Sequence, residues 1–141
     1  MGKINVGRVV LCGLLAGLVI NISEFILNDR ILGKDWETAM AALDRPPLGP
    51  PAVGVFLTLG FLEGIVMVWI YAAIRPRYGP GPRTAILAGL IVWLLASFFA
   101  NLMVIPLDIF PSRLPAISMI WALFELPIAS MIGAWRYREE V

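Results

Sequence analysis

Residues 52–74 read AVGVFLTLGFLEGIVMVWIYAAI, an apolar run in which Glu63 is the one charged side chain. At a rise of 1.5 Å per residue, a helix of this length crosses a hydrocarbon core of roughly 30 Å. Three further runs of similar length and composition lie at 7–27, 84–105 and 115–135. The sequence therefore predicts an all-α fold, an integral membrane four-helix bundle.

The composition agrees with this prediction. The chain has 141 residues, of which 60% are hydrophobic and 15% charged, and its mean hydropathy is +0.85. A soluble domain carries about 25% charged residues. Four spans and their short loops occupy residues 1–141, so we expect a single membrane domain. The run at 7–27 is too long for the apolar region of a signal peptide and no small-residue cleavage site follows it, so we expect a permanent helix.

Several classes of chemistry are disfavoured by residue counts. The chain has no histidine, which argues against histidine-ligated haem, the usual catalytic zinc sites and histidine-activated nucleophiles. Its one cysteine, Cys12, can form no disulfide within the chain. The net charge of +1 indicates no nucleic-acid partner. We expect no cofactor, and the residue types alone do not decide whether a metal binds.

Basic residues are distributed unequally between the two ends of the predicted spans. Seven lie at one end and four at the other: Lys3, Arg8, Arg75, Arg77, Arg83, Arg136 and Arg138 against Arg30, Lys34, Arg45 and Arg113. Short loops rich in lysine and arginine stay in the cytoplasm. The sequence therefore predicts that both the N-terminus and the C-terminus are cytoplasmic.

The loop between spans 1 and 2, on the predicted outer side, has a helical pattern. Asp35 is suited to an N-cap, and Trp36, Met40 and Leu43 follow at positions that share one helical face. We predict a short amphipathic helix lying in the outer interface, with Trp36 as its anchor. An irregular loop is the alternative.

Each span contains two small residues four positions apart. These pairs are Gly13/Gly17, Gly60/Gly64, Ala85/Gly89 and Ala129/Gly133. Small residues let two helix backbones approach closely, because no side chain stands between them. The pattern predicts a tight bundle, a homo-oligomer, or both, with Gly13, Gly17, Gly60 and Gly64 as helix-packing residues.

Polar residues interrupt the spans at particular depths. In span 1, Asn21, Glu24 and Asn28 continue the face that begins with Gly13 and Gly17. Glu24 lies about one turn below the predicted outer surface. Glu63 and Glu125 lie near the middle of their spans, where a charged side chain costs at least about 2.5–3.5 kcal/mol. No lysine or arginine lies at their depth. Either these carboxyls are neutral, or they face a wet cavity with polar donors.

The candidate ligand- or proton-binding residues form one set: Asn21, Glu24, Asn28, Glu63, Asn101 and Glu125. Polar side chains also join helices without any further role, at about 0.6 kcal/mol each on average. This structural interpretation is favoured for the three asparagines. It is disfavoured for Glu63 and Glu125, because helix contacts do not need so costly a group.

A resemblance to known proteins rests on two segments. Residues 33–40, GKDWETAM, contain Gly33, Lys34, Trp36, Ala39 and Met40 in a fixed spacing, and residues 75–85 read RPRYGPGPRTA. With the predicted topology, they make the chain resemble small four-span bacterial membrane proteins from families of unknown function. Many of those proteins carry aromatic residues at the end of span 1, where this chain has EFILND. The resemblance implies a multi-pass protein of the bacterial inner membrane and implies no activity.

Three functions are compatible with this sequence. The first is a small non-enzymatic protein that binds or translocates protons, cations or a small polar ligand through its glutamates and asparagines. The second is a structural or accessory subunit of a larger membrane complex. The third is an enzyme acting on a lipid or quinone, with carboxyls as acid and base. The enzyme is least favoured, because no nucleophile–base pair or glycine-rich phosphate loop is present. Convergence of the polar faces of all four spans within one protomer would favour the first function, whereas polar faces that point outward to a flat patch would favour the second.

Overall fold

The computed structural model describes residues 3–139, and within that range it is helical with no strand. The elements are α1 (Val6–Phe25) with a π-helical turn (Ile26–Ile31), α2 (Gly33–Ala42), α3 (Pro50–Tyr78), α4 (Pro82–Val92) with a second π-helical turn (Trp93–Phe98), α5 (Phe99–Val104) with a 3-10 turn (Ile105–Leu107), and α6 (Arg113–Trp135). Four continuous helical segments are long and apolar enough to cross a membrane: Val6–Ile31, Pro50–Tyr78, Pro82–Leu107 and Arg113–Trp135. The prediction of an all-α chain with four long apolar helices is confirmed.

Local sequence explains where these helices begin and end. The Asn5 side chain accepts a hydrogen bond from the Arg8 backbone N–H at 2.9 Å and so caps α1. Proline occupies the first turn of both α3 and α4, where its missing N–H costs nothing. After α3, Gly79 takes a φ of 83° and donates to the Arg75 carbonyl at 2.8 Å. The tight turn into α4 needs that left-handed backbone.

The antiparallel helices α1 and α3 pack backbone to backbone through glycines. A Cβ placed on Gly17 would lie 2.7 Å from the Phe61 Cα, and one placed on Gly64 would overlap the backbones of Gly13 and Gly17. Gly60 is equally close to the Asn21 side chain. The four helix-packing glycines therefore join two helices of the same protomer.

The small residues of the other two spans have the same role. A Cβ on Gly89 of α4 would lie 2.6 Å from the Pro127 Cα of α6. One on Gly133 of α6 would lie 2.9 Å from the Ala16 Cβ of α1 and 3.0 Å from a Val68 methyl group of α3. The small-residue pairs of all four spans thus support packing inside the protomer. These pairs therefore no longer argue for a homo-oligomer, which stays a prediction.

The two ends of the bundle carry different residues, and the end with most of the lysines and arginines is called the basic end. At the basic end, the Tyr137 hydroxyl accepts from the Asn5 N–H at 3.2 Å, and the Tyr71 hydroxyl accepts from the Gly81 N–H at 3.2 Å. Arg75 contacts Glu139 at 3.2 Å. These contacts join the start of α1, the α3–α4 turn and the end of the described chain. The opposite end carries α2 and is called the α2 end.

The short helix between spans 1 and 2 is present, with one correction to its details. It begins at Gly33 and is capped by no side chain, so the prediction that Asp35 is the N-cap is wrong. Asp35 lies in the first turn and instead pairs with Arg113 at 3.1 Å. Trp36 packs edge-on against Phe110 at a centroid distance of 5.5 Å. The Trp36 ring therefore packs against other side chains of the protein. It lies beside a small core of buried residues: Leu27, Leu32, Ala39 and Leu114.

Candidate functional site

Two side chains of α6 and one of α1 meet at an indole N–H. Trp121 and Glu125 are four residues apart, which places them on one face of α6. The Trp121 Nε1–H donates to the Ser23 Oγ at 2.9 Å and to the Glu125 Oε2 at 3.1 Å. Glu125 is 7% exposed, although the span it belongs to is otherwise apolar. One donor is thus shared between a buried carboxyl of α6 and a hydroxyl of α1, and it links the two helices.

Glu24 belongs to a second set of hydrogen bonds, at the α2 end. The Asn28 amide donates to the Glu24 carbonyl at 3.1 Å and also to the Glu24 carboxylate. The Trp36 indole in turn donates to the Asn28 Oδ1 at 3.0 Å. Asn28 lies in the π-helical turn, which closes with the Leu32 N–H donating to the Leu27 carbonyl at 2.8 Å. Glu24 and Asn28 are therefore held together and tied to α2.

Glu63 is the glutamate closest to the glycine contact of α1 and α3. It lies midway along α3 and is half-buried, and no residue from 3 to 139 forms a hydrogen bond with its carboxyl. Its neighbour Gly64 packs against Gly17, and Glu24 lies about two turns, roughly 10 Å, further along α1 than Gly17. Glu63 is thus deeper in the bundle, measured from the α2 end, than Glu24.

The three glutamates occupy successive levels of the same part of the bundle. Trp121 lies beside Ser23 and Gly133 beside Ala16, so Glu125 lies about one turn closer to the basic end than the level of Glu24. Each glutamate is close enough to the other two for their charges to interact. We call Glu24, Glu125 and Glu63 the glutamate cluster.

The cluster is too spread out for a compact metal site. Over the part of the chain that the structure describes, no group of three or more acidic, cysteine or histidine side chains is placed to hold one metal ion. The spacing instead suits separate ions or protons at separate carboxyls. The carboxyls come from three different helices, α1, α3 and α6, so the polar faces of three spans converge.

Two of the predicted site asparagines have partners elsewhere. The Asn21 amide donates to the Leu57 carbonyl of α3 at 3.1 Å, beside the glycine contact. The Asn101 amide donates to the Ser97 carbonyl one turn earlier in its own helix, at 2.9 Å, and to the Ser97 hydroxyl at 3.4 Å. Neither amide is hydrogen-bonded to a glutamate. The Asn21 amide thus joins α1 to α3, as the structural interpretation expects, whereas the Asn101 amide bonds only within its own helix and joins no helices.

Ser23 is the site residue that sequence reasoning missed. It lies about 100° around α1 from the face shared by Gly13, Gly17 and Glu24, so the polar face did not include it. The one signal in the sequence was its position next to Glu24. Its role depends on which residue of α6 lies opposite, and a helical pattern does not reveal that.

A groove runs along α6 beside α1, next to the Trp121 contact. It has a volume of about 400 Å³. It is lined by Ser23, Ile117, Ile120, Trp121, Phe124, Glu125 and Ile128. Phe124 is 64% exposed and Ile120 is 57% exposed, so the groove opens sideways on the surface of the bundle. Its walls are apolar except at Ser23, Trp121 and Glu125.

Four helices that are long and apolar enough to cross a membrane indicate a multi-pass membrane protein. No family model, curated protein or solved structure matches the chain. The arrangement of its own side chains is therefore the basis for a functional conclusion.

Proposed function

We propose that the chain is a non-enzymatic, multi-pass protein of the bacterial inner membrane that binds protons or cations at the glutamate cluster. Both termini lie in the cytoplasm, and the α2 end faces outward with α2 in the interface. The observation that carries the proposal is that Glu24, Glu63 and Glu125, from three spans, occupy successive levels of the same part of the bundle.

The electrostatic argument is that these carboxyls form no ion pair among the residues that the structure describes. Within residues 3–139, the three ion pairs join Arg30 to Asp29, Arg75 to Glu139 and Arg113 to Asp35, and none includes a cluster glutamate. Neighbouring carboxylates repel each other, and an unpaired buried charge costs several kcal/mol. The cluster therefore needs protons or bound cations to persist in an apolar bundle.

The hydrogen bonds around the cluster favour binding over helix contacts alone. Glu125 receives one shared indole donor, and the described residues give Glu63 none. A carboxyl that merely joins helices would be expected to hydrogen-bond across an interface. Glu63 makes no such bond, so a ligand or a proton must offset the free-energy cost of burying its carboxyl.

The test measures protonation directly, in the full chain reconstituted in lipid. Infrared spectra of the carboxyl stretch are recorded across pH for the parent and for Glu63→Gln and Glu125→Gln. Glutamine keeps the shape and one acceptor but cannot titrate. We expect a protonated-carboxyl band at neutral pH that decreases in each variant, or, for ionised carboxyls, a thermal stability that rises with added cation in the parent and less in the variants.

The control is Glu37→Gln, the same chemical change on the exposed face of α2. It should leave both the band and the cation response as in the parent. The proposal is overturned if the parent shows neither a protonated band at pH 7 nor a cation response that the two cluster variants reduce.

A further inference from the structure

The geometry points to a site for a lipophilic organic cation in the groove beside α6, with the cationic centre at Glu125 and the apolar substituents against Ile117, Phe124 and Ile128. This inference rests on the proposed function and names the class of cation that one member of the glutamate cluster receives. It goes beyond that function because an inorganic cation would make no favourable contact with the apolar walls.

The shape of the groove is the first argument. Its volume of about 400 Å³ falls within the range of about 300–1,000 Å³ that is usual for small-molecule sites. The lining residues Ile117, Trp121, Phe124 and Ile128 recur every three or four residues, so they form one stripe along α6. This stripe is about 16 Å long at 1.5 Å per residue. An apolar molecule can enter from the membrane through the open side.

Charge complementarity is the second argument. The groove is lined by one ionisable group, Glu125, and by no basic residue. Glu24 of α1 and Glu63 of α3 belong to the same glutamate cluster and, when ionised, would add further negative potential. Ionised Glu125 would repel an anion, whereas a cation would supply a counter-charge that an uncharged lipid tail or an apolar helix lacks. A cation with apolar substituents satisfies both the carboxyl and the walls.

The aromatic lining is the third argument. Trp121 and Phe124 both face the groove. The faces of aromatic rings attract cations, and the attraction is larger where water is excluded. Lipophilic cations are weakly hydrated at their charged centre, so they can leave water for this site more easily than a small inorganic ion can.

The experiment uses two probes of the same shape and opposite charge, tetraphenylphosphonium and tetraphenylborate. Binding to the full chain in zwitterionic nanodiscs is measured by equilibrium dialysis, with empty nanodiscs as background. We expect saturable binding of the phosphonium and no saturable binding of the borate. Glu125→Gln should weaken phosphonium binding by at least about tenfold, because it removes the charge partner.

A second variant tests the groove without touching the charge. Ile128→Trp fills the groove from its exposed side and should also reduce phosphonium binding by at least about tenfold, even if Glu125→Gln fails to fold. The matched controls are Glu37→Gln on α2 and Leu59→Trp on an exposed face of α3. Both should bind the phosphonium as the parent does.

The outcomes separate this inference from the proposed function. Equal binding of both probes, or parental phosphonium affinity in both groove variants, overturns the lipophilic-cation site. A change in oligomer size with Ile128→Trp, and none in phosphonium binding, also overturns it, because a second copy would then occupy the groove. The infrared titration is independent of the probes. If it behaves as expected while the phosphonium does not bind, the inference alone fails.

Discussion

A single N–H group, on the Trp121 indole, joins α1 to α6 beside a buried carboxyl. It serves both the Ser23 hydroxyl and the Glu125 carboxyl. The sequence alone predicts half of this arrangement, because residues four apart on a helix share a face and Trp121 and Glu125 are so placed. It does not predict Ser23, since the level at which α1 meets α6 is set by the packing of Gly133 against Ala16.

Removing that donor should destabilise the protein. Trp121→Phe keeps an aromatic ring but leaves Ser23 and Glu125 without the indole N–H. We expect a loss of about 1–3 kcal/mol in the free energy of unfolding, the usual cost of a buried group left without its partner. The measurement is reversible unfolding in mixed micelles. Trp135→Phe is the control, because Trp135 is 85% exposed and makes no indole hydrogen bond. Equal stability of the two variants would contradict this role for Trp121.

At the scale of helices, the glycine contact between α1 and α3 sets how closely two spans approach. Hydropathy places the spans well, but the helices extend past the predicted limits of 7–27 and 52–74, to Val6–Ile31 and Pro50–Tyr78. Hydropathy reports the apolar length, whereas a helix continues until a cap or a glycine ends it. The two π-helical turns are invisible to hydropathy altogether, because they are a matter of backbone hydrogen bonds.

A matched pair of alanine substitutions tests the glycine contact. In Gly17→Ala the added methyl group would lie 2.7 Å from the Phe61 Cα, so α1 and α3 must separate. We expect a loss of about 1–3 kcal/mol in unfolding free energy, as for other overpacked interiors. Gly54→Ala adds the same methyl group where nothing lies within 4 Å, and it should be neutral or slightly stabilising.

The oligomeric state gives that experiment a second readout. If the glycines act inside the protomer, Gly17→Ile and Gly64→Ile should loosen the fold and leave the particle size in detergent unchanged. A smaller particle with an intact fold would instead mean that these glycines join two copies of the chain.

For the whole molecule, the unequal ends predict an orientation in the membrane. The basic end gathers both ends of the described chain, where the Arg8 side chain donates to the Arg136 carbonyl at 3.4 Å. The α2 end gathers the acidic loop residues: Asp29, Asp35, Glu37, Asp44 and Asp108. Lysine and arginine in short loops are retained on the cytoplasmic side. The basic end is therefore expected inside and the α2 end outside.

Reporter fusions test this orientation. A reporter inserted in the loop at 76–83, or fused after residue 141, should report the cytoplasm. One inserted at 35–45 should report the outer side. The reverse pattern would overturn the topology and would place the groove in the opposite half of the membrane, although it would leave the packing of the helices as described.

The two π-helical turns, Ile26–Ile31 and Trp93–Phe98, have a genetic consequence. A π-helical hydrogen bond joins residues five apart, whereas an α-helical one joins residues four apart, so a π turn contains one extra residue. Insertion of one codon into a helix produces such a turn. Deleting one codon within Ile26–Ile31 would restore the α register and rotate everything beyond it by about 100°. Trp36 would then turn away from Asn28 and Phe110, and Glu24 would lose its connection to α2. A single codon of the gene thus sets the alignment of α2 with the bundle.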